Sequence, residues 1–178
     1  MAASTIRRWL YRDGSRFYVV PLALGVFLAL FTLGAGFYTD DFAFVAGLEG
    51  VTSQRLTPFN LYEFASGDPL RTFELVRRGP FGWWTALDLK LRFCRPLSSA
   101  LFALDHAIFG HAPLGYHVDS LLLWIALLVV VGTVLRASLH LEIAALAFVV
   151  FALNGSHAEP IAWLASRHVL VAAIAPLA

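Results

Sequence analysis

Two short polar stretches hold the residues of this chain that could do chemistry. In the first, "TDDF", Asp40 and Asp41 directly follow a long apolar run. One of two adjacent carboxylates can take a proton from a nucleophile while its neighbour raises its pKa or orients it, so the pair predicts general-base chemistry. Such a pair is also typical of an ordinary helix start or turn, because Asp favours both. Composition alone leaves both interpretations open.

The second stretch, "NGSHAEPIAWLASRHVL", lies between two apolar runs and contains His157, Glu159, Arg167 and His168. Its polar groups could simply satisfy exposed helix ends, with His157 capping a helix and Arg167 reaching the membrane interface. They could also form a site. Imidazole and carboxylate groups suit zinc or manganese, but the spacing here matches no strong metal signature. The sequence therefore indicates no metal ligands and leaves open whether the protein requires a divalent metal.

The composition places these stretches in a membrane protein. The 178 residues are 59% hydrophobic and 14% charged, and the mean hydropathy is +0.72. A water-soluble domain of this size is rarely so apolar, so we predict an integral membrane protein. The net charge of +1 gives no basic excess for nucleic acid, and the single Cys94 excludes an intramolecular disulfide.

Apolar runs of roughly 20 residues predict membrane helices, because the hydrocarbon core is about 30 Å thick. The first run is an anchor rather than a signal peptide, since Phe37 to Asp40 offers no small-residue cleavage site. The final run, "VLVAAIAPLA", is too short to cross, which predicts that the chain is the N-terminal fragment of a larger protein. The predicted helices cover residues 18–38, 116–135, about 139–153, and a truncated fourth from about 167 to the end.

The charges predict an orientation in which both polar stretches lie on the outer face. The basic tail, residues 1–17, should be cytoplasmic because cytoplasmic segments are rich in Lys and Arg. Residues 39–115 then form a long outer loop, Arg136 returns to the inside, and residues 154–166 are exported. Such a multi-pass protein would lie in a bacterial inner membrane or in the endoplasmic reticulum. The tail carries one acid, Asp13, and four arginines: Arg7, Arg8, Arg12 and Arg16.

The long outer loop predicts helices that lie in the membrane interface. Pro96 opens a run in which Leu97, Leu101, Leu104 and Ile108 share one helical face, and the following "FGHAP" ends it. An amphipathic helix joined to a membrane helix most simply lies in the interface plane, with Ser98 on its wetter side. The stretch "LVRRGPFGWW" predicts a second contact with lipid headgroups.

Three motifs together resemble a known enzyme family. Asp40-Asp41, "FCRPLSSALFALDHAIFGHAPLGYHVDSLLLW" and "SHAEPIAWLASRHVL" look like the N-terminal part of GT-C-fold polyprenol-phosphate-sugar glycosyltransferases, especially transmembrane O-mannosyltransferases with tetratricopeptide repeats. The chain departs from the family pattern at Asn154-Gly155, where the family has His-Pro, and at His168-Val169, where an acid commonly follows the arginine. Residues 47–91 have no recognised counterpart.

The resemblance implies an all-α, multi-span bundle that transfers a sugar, such as mannose, from a polyprenol-phosphate donor to a hydroxyl of a protein or glycan on the outer face. The 178 residues alone would be inactive, because they lack most spans of such a bundle. The rival interpretation is a non-catalytic membrane scaffold or a degenerate fragment. In the enzyme, the implied roles are a base at Asp41 assisted by Asp40, phosphate contacts at Arg95 and Arg167, and orienting groups at His157 and Glu159.

Overall fold

The computed structural model describes residues 16–51 and 56–174. The arginines before residue 16 that set the predicted orientation, and the last four residues of the predicted fourth helix, lie outside the described residues. The chain divides into two compact units, Met1–Gly36 with Pro113–Ala178, and Phe37–Ala112. Each unit has its own packing.

The described residues are mainly helical. In chain order the helices are α1 Arg16–Ala29, α2 Asp40–Leu48, α3 Pro69–Arg78, α4 Pro96–Phe109, α5 Pro113–Ser138, α6 Leu141–Leu153, α7 Ala158–Ala162 and α8 His168–Ile174. Shorter 3-10 turns cover Leu30–Gly34, Gly155–His157 and Leu164–Arg167. The strands are β1 Glu63–Ser66 and β2 Lys90–Arg92.

Two helical segments in the described part are long and apolar enough to cross a membrane, Phe17–Gly34 and Pro113–Ser138. The first ends at Gly34 rather than at residue 38, because the chain becomes extended at Ala35. The predicted third span is bent: α6 and the helical turns at Gly155–Ala162 meet at 48°, so they make one span only if counted together. Long apolar helices and the composition indicate a membrane protein, as predicted.

Close helix packing holds the first unit together. An added Cβ at Gly25 of α1 would lie 2.9 Å from Leu128 Cδ1 of α5, and one at Gly132 would lie 2.7 Å from Phe148 Cε1 of α6. Only glycine permits these approaches without displacing a neighbour. Trp124 adds a polar link, since its Nε1 donates to the Gly25 carbonyl at 3.1 Å. The three helices therefore form one tightly packed core.

The start of α1 lies beside the end of α5, as expected for two antiparallel membrane helices. Phe17 lies at the start of α1 and Arg136 lies in the last turn of α5, and the guanidinium carbon is 5.4 Å from the centre of the Phe17 ring. Large apolar side chains such as Leu122 of α5 and Leu146 of α6 are exposed. Exposed leucines on helices of this composition are the expected lipid-facing surface.

The second unit contains a small antiparallel sheet that departs from the all-α prediction. In it β1 pairs with β2, and the register shifts between Glu63 and Ala65. Strands of four and three residues are too short to give a visible alternation in the sequence, which is why the pattern did not predict them. Phe44, Tyr62 and Phe102 form the aromatic core, with ring centres 4.9 and 5.3 Å from that of Phe44.

Helix α4 begins at Pro96 and ends before Gly110 as predicted, but its polar face points inward. Ser98 and Asp105 are buried, whereas Leu104 and Ile108 are 54% and 63% exposed. The expectation that Ser98 occupies a wetter side is therefore wrong. A helix with a polar face against protein and an apolar face outward suits contact with lipid, which supports its predicted interfacial position.

Candidate functional site

The acidic pair starts helix α2, and its two members have different surroundings. Thr39 precedes the helix with a φ of 39°, which is rare for a residue with a side chain. Asp41 is completely buried, and its Oδ2 accepts a hydrogen bond from the Tyr38 amide at 2.9 Å. Its own amide donates to the Tyr38 carbonyl at 2.9 Å. These two hydrogen bonds stabilise the start of α2. Asp41 therefore has a structural role at the helix start.

Asp40 is only partly buried, yet its burial raises the pKa of the carboxyl above its ordinary value. Desolvation disfavours the charged form, which makes this carboxylate a stronger base than an exposed one. Neighbouring carboxyls in such different surroundings are the usual basis for dividing acid and base roles.

Arg95 belongs to the same unit and is held by aromatic rings. Its guanidinium carbon lies 4.9 Å from the centre of the Tyr62 ring and 4.6 Å from that of Phe93. Its carbonyl accepts hydrogen bonds from the amide and the hydroxyl of Ser99, both at 3.0 Å, at the start of α4. Stacking of this kind fixes the direction of the planar donor fork, which is the property a phosphate contact needs.

The second polar stretch is a double break in helical structure within the first unit. At the first break Asn154 ends α6, and its side-chain oxygen accepts from the Ser156 amide and hydroxyl, both at 3.0 Å. At the second, Trp163 ends α7 in an extended conformation, with φ −95° and ψ 108°. We refer to residues 154–167 as the polar break.

The polar break brings Glu159 close to Ser166, whose hydroxyl lies 3.5 Å from Glu159 Oε1. The Trp163 amide donates to the Glu159 carbonyl at 2.8 Å, which fixes the turn between them. His157 takes a different position, with its ring centre 4.8 Å from that of Trp124 and 4.5 Å from that of Phe151. Its ring therefore packs against two aromatic side chains, whose own ring centres are 5.9 Å apart.

Arg167 is 1% exposed, and its charge is paired inside the unit. Its Nη1 donates to Asp119 Oδ2 at 2.9 Å across 48 positions of sequence. Asp119 and the fully buried His117 lie in the first turns of α5. Neither was chosen from the sequence, although ionisable residues inside an apolar span are functional candidates by default. That signal could have found both.

The sequence-predicted residues are thus divided between the two units. Asp40, Asp41 and Arg95 belong to the second unit, and the residues of the polar break belong to the first. Among residues 16–51 and 56–174, no group of three or more His, Cys, Asp or Glu side chains is placed to hold a metal ion.

Comparison with known proteins gives one relative of informative similarity. The chain is 32% identical over 146 residues to the protein O-mannosyl-transferase Tmtc1 of Drosophila melanogaster. The matched region is 82% of this chain but only 15% of that protein. No protein-family model matches the chain. No solved structure matches it either. The similarity is to a mannosyltransferase of which this chain would span a small part.

Proposed function

We propose that this chain is part of a membrane glycosyltransferase that transfers a sugar, with mannose the favoured one, from a polyprenyl-phosphate donor to an acceptor hydroxyl. The observation that carries the proposal is the similarity to an O-mannosyl-transferase over 82% of the chain. The different surroundings of the two adjacent carboxylates, and the buried arginine at the polar break, support it.

The proposed reaction is a single displacement at the anomeric carbon of the sugar. The acceptor oxygen forms a bond to that carbon as a carboxylate takes the hydroxyl proton. The bond between the carbon and the phosphate oxygen breaks, the electron pair stays on that oxygen, and polyprenyl phosphate leaves. Attack opposite the leaving group inverts the anomeric configuration. The reaction consumes no redox equivalents.

We assign the base role to Asp40. The family resemblance alone favoured Asp41 as the base. A base must reach the proton that it takes, and Asp40 is the partly exposed member of the pair. Its pKa is raised by burial, which makes it a stronger base than an ordinary exposed carboxylate. Asp41 is completely buried and bonded to the Tyr38 amide, which suits it to holding the start of α2 in place.

Arg167 of the first unit is the proposed cationic group for the donor phosphate, and Arg95 of the second unit offers the same guanidinium chemistry. Asp119 fixes one edge of the Arg167 guanidinium, so a phosphate would share this arginine with the carboxylate. We therefore give Asp119 a positioning role: it sets the direction of the fork before the donor arrives. Glu159 and His157 would orient groups at the same polar break.

Arg167→Lys should weaken binding of the donor lipid. Lysine keeps the charge but loses the two-pronged fork. In the natural full-length protein, the KM for polyprenyl phosphate mannose should rise roughly tenfold, the effect of losing about one charge-assisted hydrogen bond. Arg78→Lys, at an exposed arginine of α3, is the matched control and should leave the KM unchanged. A folded Arg167→Lys variant with wild-type KM and kcat would remove Arg167 from the proposed site.

A further inference from the structure

The first unit contains an apolar cavity of about 250 Å³ between α1, α5, α6 and the polar break. We call it the α1–α6 cavity. Its walls include Ala29 of α1, Trp124 of α5, Ala152 of α6 and Ile161 of α7. These four side chains are buried, so the walls belong to the packed core. The space is therefore built into the fold.

The chemistry of the walls selects an apolar guest. A cavity lined by aliphatic and aromatic side chains gives water too few hydrogen bonds, so it stays dry and accepts apolar molecules. A void of this size also deprives its lining atoms of packing contacts, which a well-fitting guest restores. In a membrane the guest gains this packing rather than an escape from water, since lipid tails are as apolar as the cavity walls.

The mouth of the cavity indicates where the guest comes from. Leu28 and Leu153 line the cavity and are also 46% and 44% exposed on the outside of α1 and α6. These helices have the composition of membrane segments, so an opening between their exposed leucines faces hydrocarbon. A lipid chain can enter there without passing through water.

One wall carries a polar group that could bind an oxygen of a lipid, which a pure hydrocarbon lacks. His157 lines the cavity, and its Nε2 is buried without a hydrogen-bond partner in the part of the chain that the structure describes. Packing against Trp124 and Phe151 holds the ring in place. In the tautomer that carries its proton on Nε2, this nitrogen can donate to an oxygen at the end of an apolar chain.

We propose that the α1–α6 cavity binds one hydrocarbon chain of a membrane lipid, with His157 Nε2–H donating a hydrogen bond to an oxygen near the headgroup end of that chain. Binding does not depend on sugar transfer. The chain is either the isoprenoid tail of a polyprenyl phosphate or the acyl tail of a phospholipid, which offer the same apolar chemistry.

Photo-crosslinking tests this site. The protein in lipid nanodiscs is irradiated with diazirine-bearing polyprenyl phosphate or with diazirine-bearing phosphatidylcholine, and the labelled peptides are identified by mass spectrometry. Peptides that contain Ala29 and Ala152 should be labelled saturably, and excess unlabelled lipid of the same class should compete. The probe that labels saturably identifies which tail is bound. Leu146, exposed on α6, provides a position for labelling by bulk lipid, which does not saturate.

Two substitutions from opposite walls should remove the saturable labelling. Gly155 lines the cavity, and an added Cβ there meets no atom within 4 Å, so Gly155→Leu adds a side chain beside this space without a clash at its Cβ. Ala29→Leu narrows it from α1. Gly34→Leu is the matched control, since its Cβ also meets nothing within 4 Å and it does not line the cavity. Lack of saturable labelling by both probes in the wild type would overturn the proposal, and so would saturable labelling that survives both narrowing variants.

Discussion

Replacing the two adjacent carboxylates should change stability in opposite directions. Asp41→Ala removes a completely buried acceptor 2.9 Å from the Tyr38 amide. An intramolecular hydrogen bond contributes about 0.5–1.5 kcal/mol, so the free energy of unfolding should fall by about that amount at pH 7.5. Asp40→Asn should instead raise it, because burial makes the ionised Asp40 unfavourable in the folded protein.

The stability gained by Asp40→Asn should depend on pH. A carboxyl whose pKa is raised by folding binds its proton more tightly in the folded state, so stability falls as pH rises from the ordinary pKa through the raised one. Asp40→Asn cannot ionise. Its gain over the wild type should therefore appear at pH 7.5 and shrink toward pH 4.

Reversible unfolding in mixed detergent and SDS micelles, followed by circular dichroism, measures both effects. Asp88→Asn, at an exposed carboxyl of the same unit, controls for the loss of one negative charge. Equal destabilisation by Asp41→Ala and Asp40→Asn at pH 7.5 would refute the division of roles within the pair. A gain for Asp40→Asn that grows toward pH 4 would refute the sign of the pKa shift.

Two further predictions concern packing and use the same unfolding assay. Gly132→Ala places a Cβ 2.7 Å from the buried Phe148 ring. Overpacking costs about 1–3 kcal/mol, and replacing glycine in a helix gains ~1 kcal/mol in helix propensity. The free energy of unfolding should therefore fall by about 1 kcal/mol. Gly34→Ala meets nothing and should show no loss; equal effects would contradict the close helix approach. Ser98→Asp should destabilise the protein by at least about 1 kcal/mol, because it buries a charge. Leu104→Ala, at an exposed position of the same helix, should cost less. The reverse order would contradict the inward polar face of α4.

The sequence predicted the position of α4 well, because Pro96 and Gly110 are local signals for a helix start and stop. It did not predict which face is buried. A spacing of three to four residues shows that Leu104 and Ile108 share a face, but it does not show what that face contacts. In a membrane protein the apolar face can point outward, so Ser98 was placed on the wrong side.

The candidate site was only partly visible for a similar reason. Asp40, Arg167 and Glu159 were found because charged groups are conspicuous beside apolar runs. Asp119 was missed, since its contact with Arg167 joins positions 48 residues apart and depends on how α5 packs against the polar break. The burial that separates Asp40 from Asp41 is likewise a property of tertiary packing, which no local pattern contains.

Sugar transfer by the natural full-length protein tests the central claim most directly. The protein in liposomes is given polyprenyl phosphate carrying radiolabelled mannose and a hydroxyl-bearing acceptor, and labelled product is measured for the wild type, Asp40→Asn and Asp88→Asn. The wild type and Asp88→Asn should transfer the sugar, and Asp40→Asn should be slower by at least the ~100-fold typical of a lost general base, with donor binding preserved. Transfer by a folded Asp40→Asn variant at the wild-type rate, or no transfer by the wild type from this donor, would contradict the proposed function.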